Sequence, residues 1–281
     1  MNKIINGKEI AAKLNEELKK EISNLPSSPK LVVIQVGDLP ASNVYIKNKE
    51  KACLDLGIDF ELVKFDENII TKKIEDKIIE LNNNFEVDGI LIQLPLSNHL
   101  DINKLINTIN PAKDVDGLTS TNIGNVINNI TSHISCTAGG IIKLLDEYEI
   151  DIKGKHVVII GRSSLVGKPL IHLLLNKDAT VSICHSKTNN LQHYTKQADI
   201  LIVAVGIPKF INKQMIKKDA IIIDVGINRV DNNILGDIDF EDVYDKCSLI
   251  TPVPGGIGPM TIHSLINNII NSYKETKRTD N

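Results

Sequence analysis

The chain has no tryptophan, and aromatic residues make up only 4% of its 281 positions, so its cores must be built from Ile, Leu and Val. Neither sign of charge is in excess. Against 32 Lys and Arg stand 35 Asp and Glu, a net charge of −3, which leaves no basic footprint for nucleic acid. No apolar run approaches the roughly 18 residues that a membrane span needs, so no membrane partner is expected. The opening MNKIINGKEIAAKLNEEL carries acids and lacks an apolar signal core, which argues against secretion. The four cysteines, Cys53, Cys136, Cys184 and Cys247, lack C-x-x-C spacing. That speaks against structural zinc and a disulfide framework, and a reducing cytoplasm fits best. The seven histidines never fall at H-x-x-x-H, and G-x-S-x-G is missing, so neither a metal centre nor a nucleophile elbow is expected. There is no solenoid repeat and no low-complexity linker. What remains is an ordinary globular composition, 42% hydrophobic and 24% charged, long enough for two domains.

The most informative stretch is KHVVIIGRSSLVGKPLIHLLLNKDATVSICHS, Lys155 to Ser186. An apolar run (156–160) leads into a turn with Gly161 and Gly167. A helical segment (170–175) and a second β-type run (180–184) follow. This is a βαβ unit, the minimal device for holding a dinucleotide, with a helix N-terminus offered to the pyrophosphate. The turn does not fit G-x-G-x-x-G, since Ser163 and Val166 occupy two of the glycine places, nor does it fit a phosphate loop. A plain strand-to-helix turn therefore stays open on this stretch alone. The end of the second run is more telling. NAD sites place a carboxylate there for the ribose hydroxyls; here stand His185, Ser186, Lys187 and Thr188, with Arg162 in the turn. Cations and hydroxyls suit a 2′-phosphate, so NADP is expected rather than NAD.

The flanking sequence alternates strand and helix. Ile10, Leu14, Leu18 and Ile22 mark an amphipathic helix, and 31–36 a buried strand. ASNVYIKNKEKACLDLG reads as a helix capped by Ser42 or Asn43 and stopped by Gly57. A strand over 60–65, a helix marked by Ile74, Ile78 and Leu81, and the strand GILIQLPL (89–96) follow. NPAKDVDGLT (110–119) reads as a loop, and SCTAGGIIKLLDEYEI (135–150) as a connecting helix. Three further strands are expected at 200–206, 220–226 and 249–253. The glycine- and proline-rich 252–261 then leads into a helical stripe of Ile262, Leu265, Ile266, Ile269, Ile270 and Tyr273, with 275–281 as a frayed tail. The fold class is α/β with mostly parallel sheet, and ligands are expected past the carboxyl ends of the strands.

Tyr45 and Lys49 lie at i and i+4 and share one helix face. A solvated face is one reading, since Lys47 and Lys51 flank them; a catalytic lysine beside a stacking ring is the other. Y-x-x-x-K also occurs in short-chain dehydrogenases, but there the glycine turn comes first, and here it comes last. Asp114 and Asp116 flank Val115 and would share a face if the backbone is extended, which suits metal binding or acid–base work; a turn with Asp at its corners is the alternative.

Taken together, YIKNKEKAC, GILIQLPL, KDVDGLT, GRSSLVGKP, CHSKT and TPVPGGIGPMT closely resemble the bifunctional methylenetetrahydrofolate dehydrogenase/methenyltetrahydrofolate cyclohydrolase family. The resemblance implies two α/β domains facing across a cleft: a folate-binding domain over 1–136, completed by a C-terminal helix at 256–281, and a Rossmann-like NADP-binding domain with a parallel sheet over 137–255. It implies a hydride moved from 5,10-methylenetetrahydrofolate to NADP⁺, then hydrolysis of the methenyl product to 10-formyltetrahydrofolate. Tetrahydrofolate derivatives are the implied substrates and a homodimer the implied assembly. Lys49 matches the catalytic lysine and Tyr45 a ring-stacking tyrosine. Gln93 matches the glutamine bonded to the lysine, Asp116 the aspartate that grips the pterin and stays ionised or accepts its N–H groups, and Pro254 and Gly255 further substrate contacts. Gly161, Arg162, Ser163, Ser186 and Ile227 match cofactor contacts, as do Thr137, His185 and Gly206. No metal is implied. One departure is Ser135-Cys136-Thr137-Ala138 where the family has P-C-T-P, which bears on the placement of Thr137. A single-activity relative and a cofactor-binding protein without catalysis are the alternatives.

Overall fold

The computed structural model describes residues 3–130, 132–231 and 233–278. In chain order the first stretch runs α1 (Gly7–Ser23), β1 (Lys30–Val36), α2 (Pro40–Leu56), β2 (Asp59–Phe65), α3 (Thr71–Asn83) and β3 (Gly89–Ile92), then two short helices, α4 (Ile102–Thr108) and α5 (Ser120–Ile127). The second runs α6 (Cys136–Glu147), β4 (His156–Ile160), α7 (Gly167–Leu175), β5 (Thr180–Cys184), α8 (Leu191–Thr195), β6 (Ile200–Val203) and β7 (Ile221–Asp224). It closes with the strand pair β8 (Asn228–Val230) and β9 (Asn233–Leu235), α9 (Phe240–Tyr244), β10 (Leu249–Ile250) and α10 (Ile257–Arg278).

These elements form two compact units. One holds 14–136 and 262–281, the other 1–13 and 137–261. In the first, β2, β1 and β3 pair in that order, all parallel. Parallel strands are covered on both faces, so their sequences read as continuous apolar runs rather than alternating ones. Leu31, Val33 and Leu91 face a core with Ile46 and Cys53 of α2 and Leu265, Ile266, Ile269 and Ile270 of α10. Val32, Ile34 and Ile92 face Ile74, Ile78 and Leu81 of α3. The C-terminal stripe is therefore core of this unit, and its helix continues to Arg278; the frayed tail expected from 275 is helical to that point, and 279–281 lie outside the described residues.

In the second unit β5, β4, β6, β7 and β10 pair in that order, again all parallel. With β4 taken as first strand, this is the doubly wound 2-1-3-4-5 order, whose direction reverses between β4 and β6. The first residues pair with this sheet. Ile5 N–H donates to the Ile250 carbonyl, and Ile250 N–H to that of Lys3, both over 2.8 Å.

Local expectations differed from the structure at several ends. Helix α2 has no side-chain cap; Pro40 opens it, and Asn43 instead accepts from Gln35 Nε2 over 2.7 Å and donates to Asp38 Oδ1. Gly57 does stop it, at φ 82°, a left-handed conformation that glycine adopts without strain. Strands β3, β6, β7 and β10 end earlier than their apolar runs, which continue into the turns beyond.

At the end of β7, Asp224 is buried, and burial pushes its carboxyl from near 3.8 up to about 6 against three backbone N–H donors and with a further push from Asp237. Because the folded state holds this proton more tightly, the group adds stability at low pH that is lost as pH rises through about 6. The displacement corresponds to roughly 3 kcal/mol. Urea unfolding of wild type and Asp224→Asn between pH 4 and 7 should therefore differ in slope, with wild type losing stability relative to the variant as pH rises. Parallel profiles would show that Asp224 is ionised throughout.

Candidate active site

Helix α2 buries Ile46 and Cys53 and leaves Tyr45 exposed, with Lys49 at the seam. Lys49 Nζ donates to Gln93 Oε1 over 3.0 Å. Gln93 follows β3, where its own N–H still donates to the Ile34 carbonyl over 2.8 Å as the parallel ladder runs out. Its Nε2 donates to the Leu94 carbonyl over 2.8 Å, which fixes the amide with oxygen toward the lysine. Thus a helix and the carboxyl end of a strand hold the two groups in register.

The KDVDG segment is a turn, with Gly117 N–H donating to the Asp114 carbonyl over 3.1 Å, and the two carboxylates do not share a face. Asp114 Oδ2 accepts from Thr119 N–H at 2.7 Å and from Asn122 Nδ2 at 3.0 Å, so it braces the start of α5. Asp116 instead meets Lys49 and the Cys136 thiol. Burial pushes its carboxyl above the ordinary range; Lys49 pulls it down and Asp114 adds to the rise. Burial likewise raises the Cys136 thiol, with Asp116 adding to the rise, and its Sγ lies 3.3 Å from the Val115 carbonyl. Val115 is fully buried against Gly89, where a Cβ would come within 2.8 Å of Val115 Cγ1.

In the other unit, Gly161 follows β4 with φ 121°, and a Cβ there would collide with the Ala204 carbonyl after β6. A Cβ on Gly167 would collide with the Gly161 carbonyl, so strand, turn and helix pack backbone to backbone. Ser163 Oγ accepts from Val166 N–H over 3.1 Å and shapes the turn ahead of α7. Arg162 is exposed and has no hydrogen bond or ion pair among the described residues. β5 pairs with β4 up to Ile160↔Cys184, which sets the 185–188 turn beside the glycine turn. There Thr188 Oγ1 accepts from His185 N–H at 2.8 Å and His185 Nδ1 from Lys187 N–H at 3.1 Å, leaving Ser186 exposed at the tip. The side-chain-free cradle and the unpaired Arg162 fit a dinucleotide phosphate.

Ile227 is exposed after β7, and Gly206 has φ 66° after β6, its N–H donated to Asp237. Thr137 lies in the first turn of α6, which starts at Cys136 without the family prolines; its hydroxyl accepts from Thr261 Oγ1 over 3.3 Å. Pro254 is exposed, and the Gly255 carbonyl is taken by Lys8 N–H at 2.8 Å. The structure thus gathers Lys49, Gln93 and Asp116 in one unit, with Tyr45 a turn away on the same helix. It places the predicted cofactor residues, with Pro254 and Gly255, in the other.

Against known proteins, the catalytic domain of tetrahydrofolate dehydrogenase/cyclohydrolase matches residues 5–116, and the NAD(P)-binding domain of the same enzyme matches 135–277. The chain belongs to that family. Among relatives of the tetrahydrofolate dehydrogenase/cyclohydrolases, the bifunctional protein FolD of Campylobacter hominis is 50% identical over 96% of this chain and 97% of its own. The crystal structure of the bifunctional FolD dehydrogenase/cyclohydrolase from Campylobacter jejuni superposes with a TM-score of 0.95 at 45% identity, over 97% of this chain and 98% of that one. The Trypanosoma brucei dehydrogenase-cyclohydrolase, solved with NADP cofactor and inhibitor, gives 0.94 at 31% identity, over 98% of each.

Sequence reasoning missed two neighbours of this family centre. Cys136 enters the sequence reading as an unpaired cysteine and within the departure from P-C-T-P, not as a neighbour of Asp116. Asn268 of α10 donates to the carbonyls of Val115 and Ile134, each over 2.9 Å, and so pins the KDVDG turn; a polar residue inside an apolar helical stripe was the available signal. The two carboxylates should separate in stability. Asp114→Asn keeps one oxygen for the Thr119 and Asn122 donors but buries a new amide donor in place of Oδ1, and should lower the midpoint of thermal unfolding by several degrees. Asp116→Asn removes a carboxyl whose ionised form burial opposes, and should not lower it. Equal losses by calorimetry would mean that both serve the loop.

Proposed function

We propose that this chain oxidises 5,10-methylenetetrahydrofolate to 5,10-methenyltetrahydrofolate with NADP⁺ and then hydrolyses that product to 10-formyltetrahydrofolate, with Lys49 at the centre of the chemistry. The observation that carries this reading is the Lys49–Gln93 hydrogen bond beside Asp116, inside the part of the chain that matches the family's catalytic domain. In hydrolysis, water adds to the cationic methenyl carbon and gives up a proton. A lysine amine can take it only while neutral, and a substrate cation beside it favours that form. Gln93 holds Nζ at one position. As the carbon–nitrogen bond at N5 opens, Lys49 is placed to return a proton to that nitrogen, so the site shuttles one proton while the reaction releases another to solvent. The Asp116 carboxyl binds the pterin N–H groups, and the exposed Tyr45 ring, one turn before Lys49, stacks on the substrate.

NADP⁺, when bound, accepts the hydride. The cradle of Gly161, Arg162 and Ser163 would hold it with Ser186 and His185, and the T. brucei relative solved with NADP supports the choice of dinucleotide. Thr137, Gly206 and Ile227 complete the cofactor residues, and Pro254 and Gly255 the substrate residues. Folate belongs to the domain built on β1–β3 and NADP to that built on β4–β7. The four cysteines are buried and unpaired, which suits the cytoplasm, and no helix among the described residues is long and apolar enough to cross a membrane. A homodimer is the assembly proposed.

Lys49→Met, close in shape but unable to carry a proton, should abolish hydrolysis of methenyltetrahydrofolate while NADP⁺ affinity stays within a few-fold. Lys49→Arg should fail as well, because a guanidinium stays protonated. Strong residual hydrolysis in either variant would place the base elsewhere. Asp116→Asn should weaken folate binding and depress both activities. Cofactor choice gives an independent test. A charge-assisted hydrogen bond contributes about 1.5–3 kcal/mol, a factor of ten or more. Arg162→Ala with Ser186→Ala should thus raise the NADP⁺ Michaelis constant at least about tenfold and leave that for NAD⁺ nearly unmoved, since NAD⁺ has no 2′-phosphate. Equal loss with both cofactors would sink the assignment.

A further inference from the structure

The loops that follow β6 and β7 are tied together by one carboxylate that the chemistry above does not use. Asp237, wholly inaccessible to solvent, lies just past β9. Its Oδ2 accepts from Val205 N–H at 2.7 Å and Gly206 N–H at 3.0 Å. Its Oδ1 accepts from Ile207 N–H at 2.9 Å and from Asn228 Nδ2 at 2.9 Å. Three successive backbone donors after β6 and one side chain after β7 thus converge on a single group. Asp224 holds the carboxylate's own backbone: Asp237 N–H donates to its Oδ1 at 2.9 Å, Ile238 N–H to its Oδ2 at 2.9 Å, and Gly226 N–H to its Oδ1 at 3.0 Å. Gly226 and Gly236 leave room for the pair, since a Cβ on either would overlap Asp237 or Asp224.

The place of this knot in the sheet tells what it positions. In a doubly wound sheet the dinucleotide lies along the carboxyl ends of the strands, its pyrophosphate at the first strand's turn and one ribose at the end of the second. Here those are β4 and β5, with Arg162 and Ser186 for the 2′-phosphate. The other nucleoside must run the opposite way, past β6 toward β7. The loops there present Ile207 and Ile227, both exposed. We infer that Asp237 is a positioning residue for hydride transfer: it fixes the 205–207 and 227–228 loops against the nicotinamide end of the cofactor, and it has no part in hydrolysis. This rests on the functional reading above.

Asp237→Asn replaces one acceptor oxygen with an N–H donor facing N–H donors, so it frees part of the knot. In the full-length enzyme, kcat/KM for NADP⁺ in methylenetetrahydrofolate oxidation should fall tenfold or more, chiefly in kcat. Cofactor-independent hydrolysis of methenyltetrahydrofolate should stay within twofold. The inhibition constant of 2′,5′-ADP, which probes the adenosine end alone, should also stay within twofold. Asn228→Ala, which removes a single donor, should show the same pattern at threefold or more, and it decides the matter if Asp237→Asn does not fold. A parallel fall in hydrolysis, or an equal weakening of 2′,5′-ADP, would reduce Asp237 to a structural group and overturn the inference, as would unchanged oxidation. Wild-type enzyme assayed alongside exposes failure of the functional reading itself: if it too reduces no NADP⁺, both fall together.

Discussion

In both units every strand of the main sheet runs the same way, so the backbone ladders of β1, β2 and β3 end at one edge, and those of β4, β5, β6, β7 and β10 at another. Where a parallel ladder stops, its last N–H and C=O groups lose their partners and the chain must turn. Those turns are where the polar side chains collect. Gln93 is the first residue past β3, Gly161 the first past β4, His185 the first past β5, and Asp224 the last of β7. The candidate chemistry therefore follows from strand direction before any side chain is considered.

That constraint also explains what could be read from the sequence. Buried parallel strands need apolar residues at every position, so runs such as LVVIQV, HVVII and AIIID announced themselves, and the stripe from Leu265 to Tyr273 gave α10 its core face. The βαβ unit was legible from its own contiguous pattern, whereas Lys49, Gln93 and Asp116 were singled out together only through the resemblance of YIKNKEKAC, GILIQLPL and KDVDGLT to the family. Helix and strand ends were less so. Apolar residues continue past the ladders into the turns, and Pro40 opens α2 without the hydroxyl or amide cap that Ser42 and Asn43 suggested. For three contacts nothing local named the partner. The first residues join β10 through backbone hydrogen bonds spanning most of the chain, Asn268 reaches back to Val115, and Asp237 meets a loop thirty residues earlier. Periodicity reports which face is buried, but not which distant backbone group a buried polar atom will meet.

The pairs of acids show the same limit from the other side. Asp114 and Asp116 are two residues apart, and an extended backbone would have made them equivalent. The turn at Gly117 separates them, so that one saturates backbone and amide donors while the other looks at an ammonium and a thiol. Asp224 and Asp237, thirteen residues apart, are by contrast stacked into one arrangement, each carboxylate holding a stretch of chain. Spacing in sequence decides neither arrangement, because hydrogen-bond partners rather than intervals set what a buried carboxylate does.

At the Lys49 centre the charges are coupled. Burial and Asp114 press Asp116 toward its neutral form, and Lys49 presses it toward the ionised one. The Cys136 thiol, hydrogen-bonded to the same carboxyl, acts with Lys49 toward the ionised form. Asp116 therefore sits between opposing influences, burial and a second acid on one side, an ammonium and a thiol on the other. Gln93 adds to neither side: its amide oxygen accepts from Lys49 Nζ without bringing a charge. A carboxylate at that position would place a second anion beside the ammonium and work against the base role proposed for Lys49.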